Sequence, residues 1–392
     1  MTMSPQSQIP VGFTFVADGK DWQGGLNYFR SLFLALQSLP DAKVAPVAFV
    51  GRGVDVAKYG FPPNVLVVRD ATFNRCSFKW TLDKLAHRLL GVSWLTNRVV
   101  RRRGVRVLSH GPASGTRTLK SIGWIPDFQH VHLPQFFPEA ELARRDKAYR
   151  ELVATSDLLI VSSESARKDL ERFAPAHAAK ARVLRFCAVP PSLDAASREE
   201  LSALYGLSGP YFYIPNQTWA HKNHLTAIRA LARLRQDHPD VQVVCSGSLA
   251  DYRNPSHLAA LRAEIAKFGL EKRFMLLGPI PYPHIAPLML HAEAVINPSL
   301  FEGWSTTVEE AKSIGAPLIL SGIEVHREQC DAVQATFFEA LDAKDLAARM
   351  HERLAKKGRR IDPPAALVEH AIRTREFANA YERIVVELAG SA

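Results

Sequence analysis

Two glutamates, Glu302 and Glu310, stand eight residues apart in the segment Asn297–Gly315, NPSLFEGWSTTVEEAKSIG. A short apolar run ends near Asn297, a loop with Phe301-Glu302-Gly303-Trp304-Ser305 follows, and a helix is expected to begin near Thr306. Free backbone N–H groups at such a helix start, with the helix dipole, form an anion site. Gly303 allows close approach of a ligand to the backbone. Ser305 and Thr306 offer hydroxyls to a phosphate or else cap the helix. Two carboxylates hold hydroxyl pairs of a sugar and a ribose by charge-assisted hydrogen bonds, roughly 1.5–3 kcal/mol each. Glutamate is common on surface helices, so the pair gains meaning from its context: Asn-Pro-Ser before it, then Glu-Ala and a Gly-Ala-Pro that opens the next strand.

Short apolar runs alternate with helical patterns along the whole chain. Val11–Ala17, Val44–Val50, Val65–Val68, Val105–Ser109 and Leu158–Val161 read as strands, with helices after Gly24-Gly25 up to Ser38 and over Ala166–Phe173. Beyond them, strands are expected at Tyr211–Ile214, Val241–Cys245, Phe274–Leu277, Ala294–Ile296 and Pro317–Leu320. Helices are expected between these at about 222–236, 256–268, 283–291 and 306–314, and a last one at roughly Pro364–Leu388. This alternation implies an α/β fold of parallel sheets covered by helices on both faces. Pro190-Pro191 and the polar stretch up to Gly209 mark a break between two halves of nearly equal size. Two Rossmann-like domains facing a cleft are expected, with ligands at the carboxyl ends of strands.

With these elements in place, the segment resembles the E-x7-E signature of retaining, nucleotide-sugar-dependent glycosyltransferases of the GT-B fold, family 4 type. Pro215–His224, PNQTWAHKNH, is similar to that family's strand-loop segment ending in Lys-Asn or Lys-Gly. Leu276-Leu277-Gly278, Gly24-Gly25-Leu26-Asn27-Tyr28 and Val161–Ser165 match further stretches, so the resemblance spans about residues 11–350 and is stronger in the second half. It implies an N-terminal acceptor domain over 1–200 and a nucleotide-sugar domain over 201–370. It also implies that a helix over 371–392 packs back on the first domain. Lys222 would pair with the donor diphosphate as a compact cation. Glu310 would hold the ribose, Glu302 the transferred sugar, and the amides around Gly303, Trp304, Ser305 and Thr306 the phosphate or sugar oxygens. Asn216 and Gln217 would line the donor side, and Gly24 and Gly25 would approach the donor phosphate or the acceptor. Gln217 stands where the family has an arginine, so the phosphate charge falls to Lys222, the helix terminus and a further base, with Arg327 and His326 as candidates. On the acceptor side Asp127 takes the place of the family's aspartate. Pro126 replaces the usual histidine, leaving His130 or His132 to serve. The family precedent is a same-face displacement in which the donor phosphate helps deprotonate the acceptor. No cofactor is expected beyond a UDP- or GDP-linked donor, and no divalent metal, because no Asp-x-Asp motif stands in a plausible loop.

Composition narrows the alternatives. Hydrophobic residues make up 47% and charged residues 22% of 392, as in an ordered globular protein. No run of about 18 apolar residues is present, and Met1–Pro10 lacks the pattern of a secretion leader. Cytoplasmic localisation follows as the expectation. The four scattered cysteines form no CxxC pair, and His130 with His132 lacks a third metal ligand nearby. The net charge of +10 is uneven: residues 51–150 carry 18 Lys/Arg against 7 Asp/Glu, while 201–392 carry 21 of each. A basic first half suggests a polyanionic partner, such as a lipid-linked or acidic glycan acceptor or the acidic inner face of a membrane. Bacterial surface polysaccharide assembly, lipopolysaccharide included, fits such an acceptor. A nucleic-acid-binding protein and a transferase acting on a small sugar phosphate are the alternatives, although no nucleic-acid motif accompanies the charge. An oxidoreductase is disfavoured, because no Gly-x-Gly-x-x-Gly follows Val11–Ala17. Trp80, Trp94 and Trp219 read as packing anchors. The stretch Trp80–Arg102 reads as a core helix with exposed arginines, its alternative being a helix on a membrane surface.

Overall fold

The computed structural model describes residues 8–16, 23–111, 115–116, 118–190, 196–356 and 363–390. Strands of the first sheet are β1 (Ile9–Phe15), β2 (Val44–Val50), β3 (Leu66–Arg69), β4 (Val107–Ser109), β5 (Lys120–Ile125), β6 (Leu158–Val161) and β7 (Ala181–Val183). Strands of the second are β8 (Tyr211–Ile214), β9 (Gln242–Cys245), β10 (Phe274–Leu276), β11 (Val295–Asn297), β12 (Leu318–Ser321) and β13 (Ala335–Phe338). The helices are α1 (Gln23–Gln37), α2 (Phe78–Leu90), α3 (Trp94–Arg101), α4 (Gln129–His132), α5 (Glu139–Thr155), α6 (Glu164–Phe173) and α7 (Arg198–Tyr205). They continue with α8 (His224–Arg233), α9 (His257–Lys267), α10 (Ile285–His291), α11 (Thr306–Ser313), α12 (Glu324–Gln329), α13 (Ala343–Lys356) and α14 (Pro363–Gly390).

The chain divides into two units. The first comprises residues 1–128, 143–189 and 372–392, and the second residues 129–142 and 190–371. Both sheets are wholly parallel, with orders β3-β2-β1-β4-β5-β6-β7 and β10-β9-β8-β11-β12-β13. Each order reverses once, at β1/β4 and at β8/β11, which is the doubly wound Rossmann-like topology with its crevice at the reversal. The central strands are buried on both faces, as parallel strands flanked by helices must be, while the edge strands β3, β7, β10 and β13 are partly exposed. Every residue of β6, β8, β9 and β12 is buried.

Short polar side chains stop and start the helices. Ser163 caps α6 by accepting from Ala166 N at 3.0 Å, and Ser197 with Glu200 forms a reciprocal capping box on α7. The stretch expected as one helix from Trp80 to Arg102 is two, because Gly91 takes a left-handed φ of 70° and ends α2. Strand β5 hides its period behind Lys120, Ser121 and Gly123. The glycine is demanded by packing: a Cβ there would lie 2.5 Å from Ser156 Oγ. Gly24 and Gly25 lie within the first turn of α1 rather than in a loop before it. Ala17, the expected end of β1, falls outside the described residues.

In the first unit, α14 is tied to the sheet by one carboxylate. Glu382, buried, accepts from the backbone N–H of Lys43 at 2.5 Å and of Val44 at 3.1 Å, where β2 begins. Replacing Glu382 by Ala strands both donors, and each buried unsatisfied group costs about 1–3 kcal/mol. Glu382→Ala is expected to lower unfolding stability by about 2 kcal/mol in urea titrations, and Glu382→Gln, which keeps the accepting oxygen, by less than half of that.

Candidate active site

The second unit gathers its polar side chains where β8 and β11 end. Asn297 closes β11 and is fully buried. Its Oδ1 accepts from Ser299 Oγ at 2.7 Å and Asn216 Nδ2 at 3.2 Å, while its Nδ2 donates to Ser305 Oγ at 2.8 Å. Ser305 in turn caps α11, accepting from Val308 N, so the helix start is fixed relative to the strand. Thr307 donates to Asn216 Oδ1 at 3.0 Å, which closes the network on the loop after β8. Buried Gln329 pairs with Ser305 on the other side: its Oε1 receives Ser305 N at 3.0 Å and its Nε2 donates to Ser305 O at 3.1 Å.

Lys222 is positioned by its neighbour. Asn223 has a left-handed φ of 55° and donates to Pro298 O and Ala340 O, at 3.1 and 2.8 Å. Asparagine and glycine are the residues that tolerate this conformation, which gives a physical reason for Lys-Asn or Lys-Gly at this turn. Lys222 Nζ lies 2.5 Å from Glu302 Oε1, and Ser299 Oγ lies 2.7 Å from the same oxygen, its one proton shared between Glu302 and Asn297. Both side chains are largely buried. The loop before Lys222 rests on that after β9: Thr218 N donates to Ser248 O at 2.9 Å and Ala220 N to Asp251 Oδ2 at 3.1 Å. Gly247 makes this approach possible, because a Cβ there would lie 2.8 Å from Gln217 N.

Glu310 is buried in α11, with the Tyr282 hydroxyl bonded to its carboxylate. Burial pushes its pKa up to about 7, against the smaller downward pull of Tyr282. The histidines nearby are neutral. Burial first, then the Lys222 and Arg253 charges, holds His221 well below its usual range. Burial lowers His326 to about 4. His326 Nδ1 faces Ser321 O at 2.9 Å, while its Nε2 is buried without a hydrogen-bond partner.

Lys222, Glu302, Glu310, Asn216, Ser305 and Thr306 thus belong to one neighbourhood, with Gly303 and Trp304 in the loop between. Gln217 sits on the same loop, packed on Gly247. Gly24 and Gly25 belong to the first unit, as does Asp127, which follows β5. His130 and His132 are on α4, in the short segment that packs with the second unit. The imidazole against the Glu302 loop is that of His132, 4.9 Å from the Phe301 ring, whereas His130 is buried. Of the two candidates for a further base, His326 is neutral, whereas Arg327 is exposed, donating to Gly322 O at 3.1 Å and lying over Phe337. Arg253, near His221, is paired with Asp251 and enclosed by the Trp219 and Phe137 rings. Trp219 therefore packs as expected. Among the described residues no group of three or more His, Cys, Asp or Glu is arranged to hold a metal ion.

Asn297, Gln329, Gly247 and Arg253 were not singled out by the sequence. Only Asn297 carried a signal there, as the Asn-Pro-Ser that ends a strand. In the first unit, His110 was missed as well. It follows β4 at the sheet reversal with a left-handed φ of 60°, held between Tyr28 Oη and Ser109 Oγ, each at 2.7 Å.

Two doubly wound parallel sheets in one chain are the GT-B fold, and solved structures agree. Sucrose-phosphate synthase from Thermosynechococcus elongatus superposes with a TM-score of 0.66 at 16% identity, covering 98% of each chain. A glycosyltransferase from Rickettsia africae gives 0.67 at 14%, covering 96% of this chain and 99% of that one. Anabaena HepE in complex with UDP and glucose gives 0.64 at 16%, covering 98% and 100%. Residues 208–372, most of the second unit, match the family model described as Glycosyl transferases group 1. The D-inositol 3-phosphate glycosyltransferase of Corynebacterium aurimucosum is 26% identical over 148 residues, 37% of this chain. The match spans about a third (34%) of that relative's length.

Two stability measurements test this geometry. Asn297→Ala removes an amide with three side-chain partners and is expected to destabilise the second unit by about 3 kcal/mol in denaturant titrations. Glu310 has a folded pKa raised above its unfolded value, so its neutral form favours folding below about pH 4, and that contribution is lost as pH rises through about 7. Glu310→Gln is therefore expected to gain about 3 kcal/mol on the wild type between pH 4 and pH 8, read from unfolding curves at each pH.

Proposed function

We propose that the chain is a retaining, metal-independent glycosyltransferase that moves a sugar from a UDP- or GDP-linked donor to a hydroxyl of a glycan or lipid-linked acceptor. The observation that carries this reading is the convergence of Lys222, Glu302, Glu310 and the α11 start where β8 and β11 part. Parallel sheets bind nucleotides in that crevice. Support for the donor class comes from HepE, whose solved structures hold UDP and glucose, or UDP-glucose.

In this reading Lys222 uses one of its three N–H donors on Glu302 and has two left for the diphosphate. The amides of Thr306 and Thr307 face the same charge, that of Ser305 being held by Gln329. Glu302, held by Lys222 and Ser299, accepts from the sugar hydroxyls, and Glu310 accepts from the ribose. The bond from the anomeric carbon to the diphosphate oxygen breaks while the acceptor oxygen bonds to that carbon on the same face. The acceptor proton passes to the departing phosphate oxygen, and a nucleoside diphosphate leaves. Positive charge at the anomeric carbon and negative charge on the diphosphate both develop among these preplaced groups. Asp127 and a histidine of α4, His130 or His132, are assigned to the acceptor side, and Gly24 and Gly25 to the donor phosphate or acceptor.

A second reading keeps the same donor site with a small sugar phosphate as acceptor. The names of two relatives favour it: a D-inositol 3-phosphate glycosyltransferase and a sucrose-phosphate synthase. A nucleic-acid-binding protein would leave the second unit's polar network unexplained.

Thermal melts with UDP, GDP, ADP, CMP and NAD decide the donor class. One nucleoside diphosphate at a hundredfold excess over its Kd is expected to stabilise by about 2.7 kcal/mol, and Lys222→Ala to abolish the shift. Because ribose hydroxyls donate to an ionised Glu310, Kd is expected to fall about tenfold per pH unit as pH rises towards 7, then level off. Glu310→Gln should flatten that dependence. A shift with NAD alone would sink the assignment, and the anomeric configuration of the product, read by NMR, tests retention.

A further inference from the structure

The first unit carries an apolar stripe that its own core does not use. Phe78, Leu82, Leu85 and Leu89 of α2 are 82%, 44%, 51% and 71% exposed. At about 100° per residue these four fall within about 60° of arc, so they form one line along the helix. Leu90 at the end of α2 and Trp94 at the start of α3 are exposed as well, by 76% and 58%. Trp94 is thus not the packing anchor expected of it, and α2 is not an ordinary core helix. An exposed row of large apolar side chains marks a contact surface.

The charges around the stripe say what it contacts. Lys79 and Arg88 flank it on either side, about 90° away, and Lys84 is exposed on the same helix. Arg98, Arg101 and Arg102 of α3 are also exposed, and Arg98 lies over the Trp94 ring. Between Phe78 and Arg103 the sequence has seven Lys/Arg and one acidic residue, Asp83. That acid is buried, accepting from Leu95 N at 2.7 Å and Thr96 Oγ1 at 2.7 Å, so it fastens α2 to α3; the carboxylate nearest the stripe is Asp70, 3.8 Å from Lys79.

We infer that α2 and α3 form a docking surface for an anionic phospholipid bilayer. The stripe enters the boundary between headgroups and acyl chains, and the flanking cations meet the lipid phosphates. A protein groove would not require cations on both flanks, whereas a negatively charged lipid surface meets all of them at once. Among the described residues no helix is long and apolar enough to cross a membrane. The contact does not depend on the transfer reaction, and it explains the basic excess of residues 51–150 without invoking the acceptor.

The test is co-sedimentation of the full chain with vesicles of phosphatidylglycerol and phosphatidylcholine in equal parts, and with vesicles of phosphatidylcholine alone, at low and physiological salt. Binding is expected to the anionic vesicles only, weaker as salt rises. Leu85→Ser/Leu89→Ser is expected to weaken it at least tenfold. Arg98→Gln/Arg102→Gln should lower it about fivefold per charge removed. Both double variants should keep wild-type melting temperatures, since the altered side chains face solvent. No binding, equal binding to both vesicle types, or unchanged binding by the stripe variant would overturn the inference. So would light scattering that shows a wild-type dimer converted to monomer by Leu85→Ser/Leu89→Ser, because a second copy would then cover the stripe.

Discussion

The second unit is organised around a buried amide. The ends of β8 and β11 release two loops, and Asn297 ties them to one point. Its oxygen fixes Ser299 and Asn216, and its nitrogen fixes the cap of α11. A buried polar group with every partner in place rigidifies its surroundings, whereas the same group half-satisfied is a liability. The positions of Glu302, through Ser299, and of the α11 amides, through Ser305, are therefore consequences of one side chain. Gln329 repeats the device from the far side of the helix start, satisfying both backbone groups of Ser305.

This framework lets two carboxylates in one signature behave differently. Glu302 is matched at once by an ammonium and a hydroxyl. Glu310 has a phenol for company and is pushed up by burial. A paired carboxylate is a fixed, oriented acceptor. An unpaired buried one is uncomfortable as an anion until hydroxyl donors arrive, which makes its ionisation responsive to ligand. Eight residues of sequence separate the two, and the loop-to-helix transition at Ser305 gives them these unlike surroundings.

Much of the architecture was legible because parallel strands are written as short solid apolar runs. Val44–Val50, Leu158–Val161 and Tyr211–Ile214 were read to the residue. The strands that escaped are those whose sequence serves another demand. β5 carries a glycine for close packing, and β7 and β13 are edge strands of mixed composition. Helices α5, α7 and α13 escaped because their apolar positions are sparse beside many charges. At the site, the residues quoted from the signature and from the Lys-Asn turn do come together. The supporting shell was not legible, because Asn297, Gln329, Gly247 and Asp251 act through contacts between distant segments. The same limit explains Arg253: nothing local says that this arginine is enclosed by aromatic rings, and two of those rings lie far away in sequence.

The glutamine at 217 raises a question of charge that the geometry answers by subtraction. A diphosphate needs positive potential, and Arg253 is already neutralised by Asp251 at 3.3 Å. Arg327 donates to Gly322 O, a neutral acceptor. On the site's own loops there remain the start of α11 and Lys222, which is shared with Glu302. That start would be compromised by Glu309 in the first turn if its charge were free, since a carboxylate there competes with an incoming anion for the same dipole. It is not free: Lys312 Nζ stands 3.5 Å from Glu309 and Gln329 Nε2 donates to it at 3.1 Å, with the pair almost fully buried. Compensating Glu309 from within the helix leaves the first amides of α11 to an outside anion, so the helix start can meet phosphate charge that the missing arginine would have met.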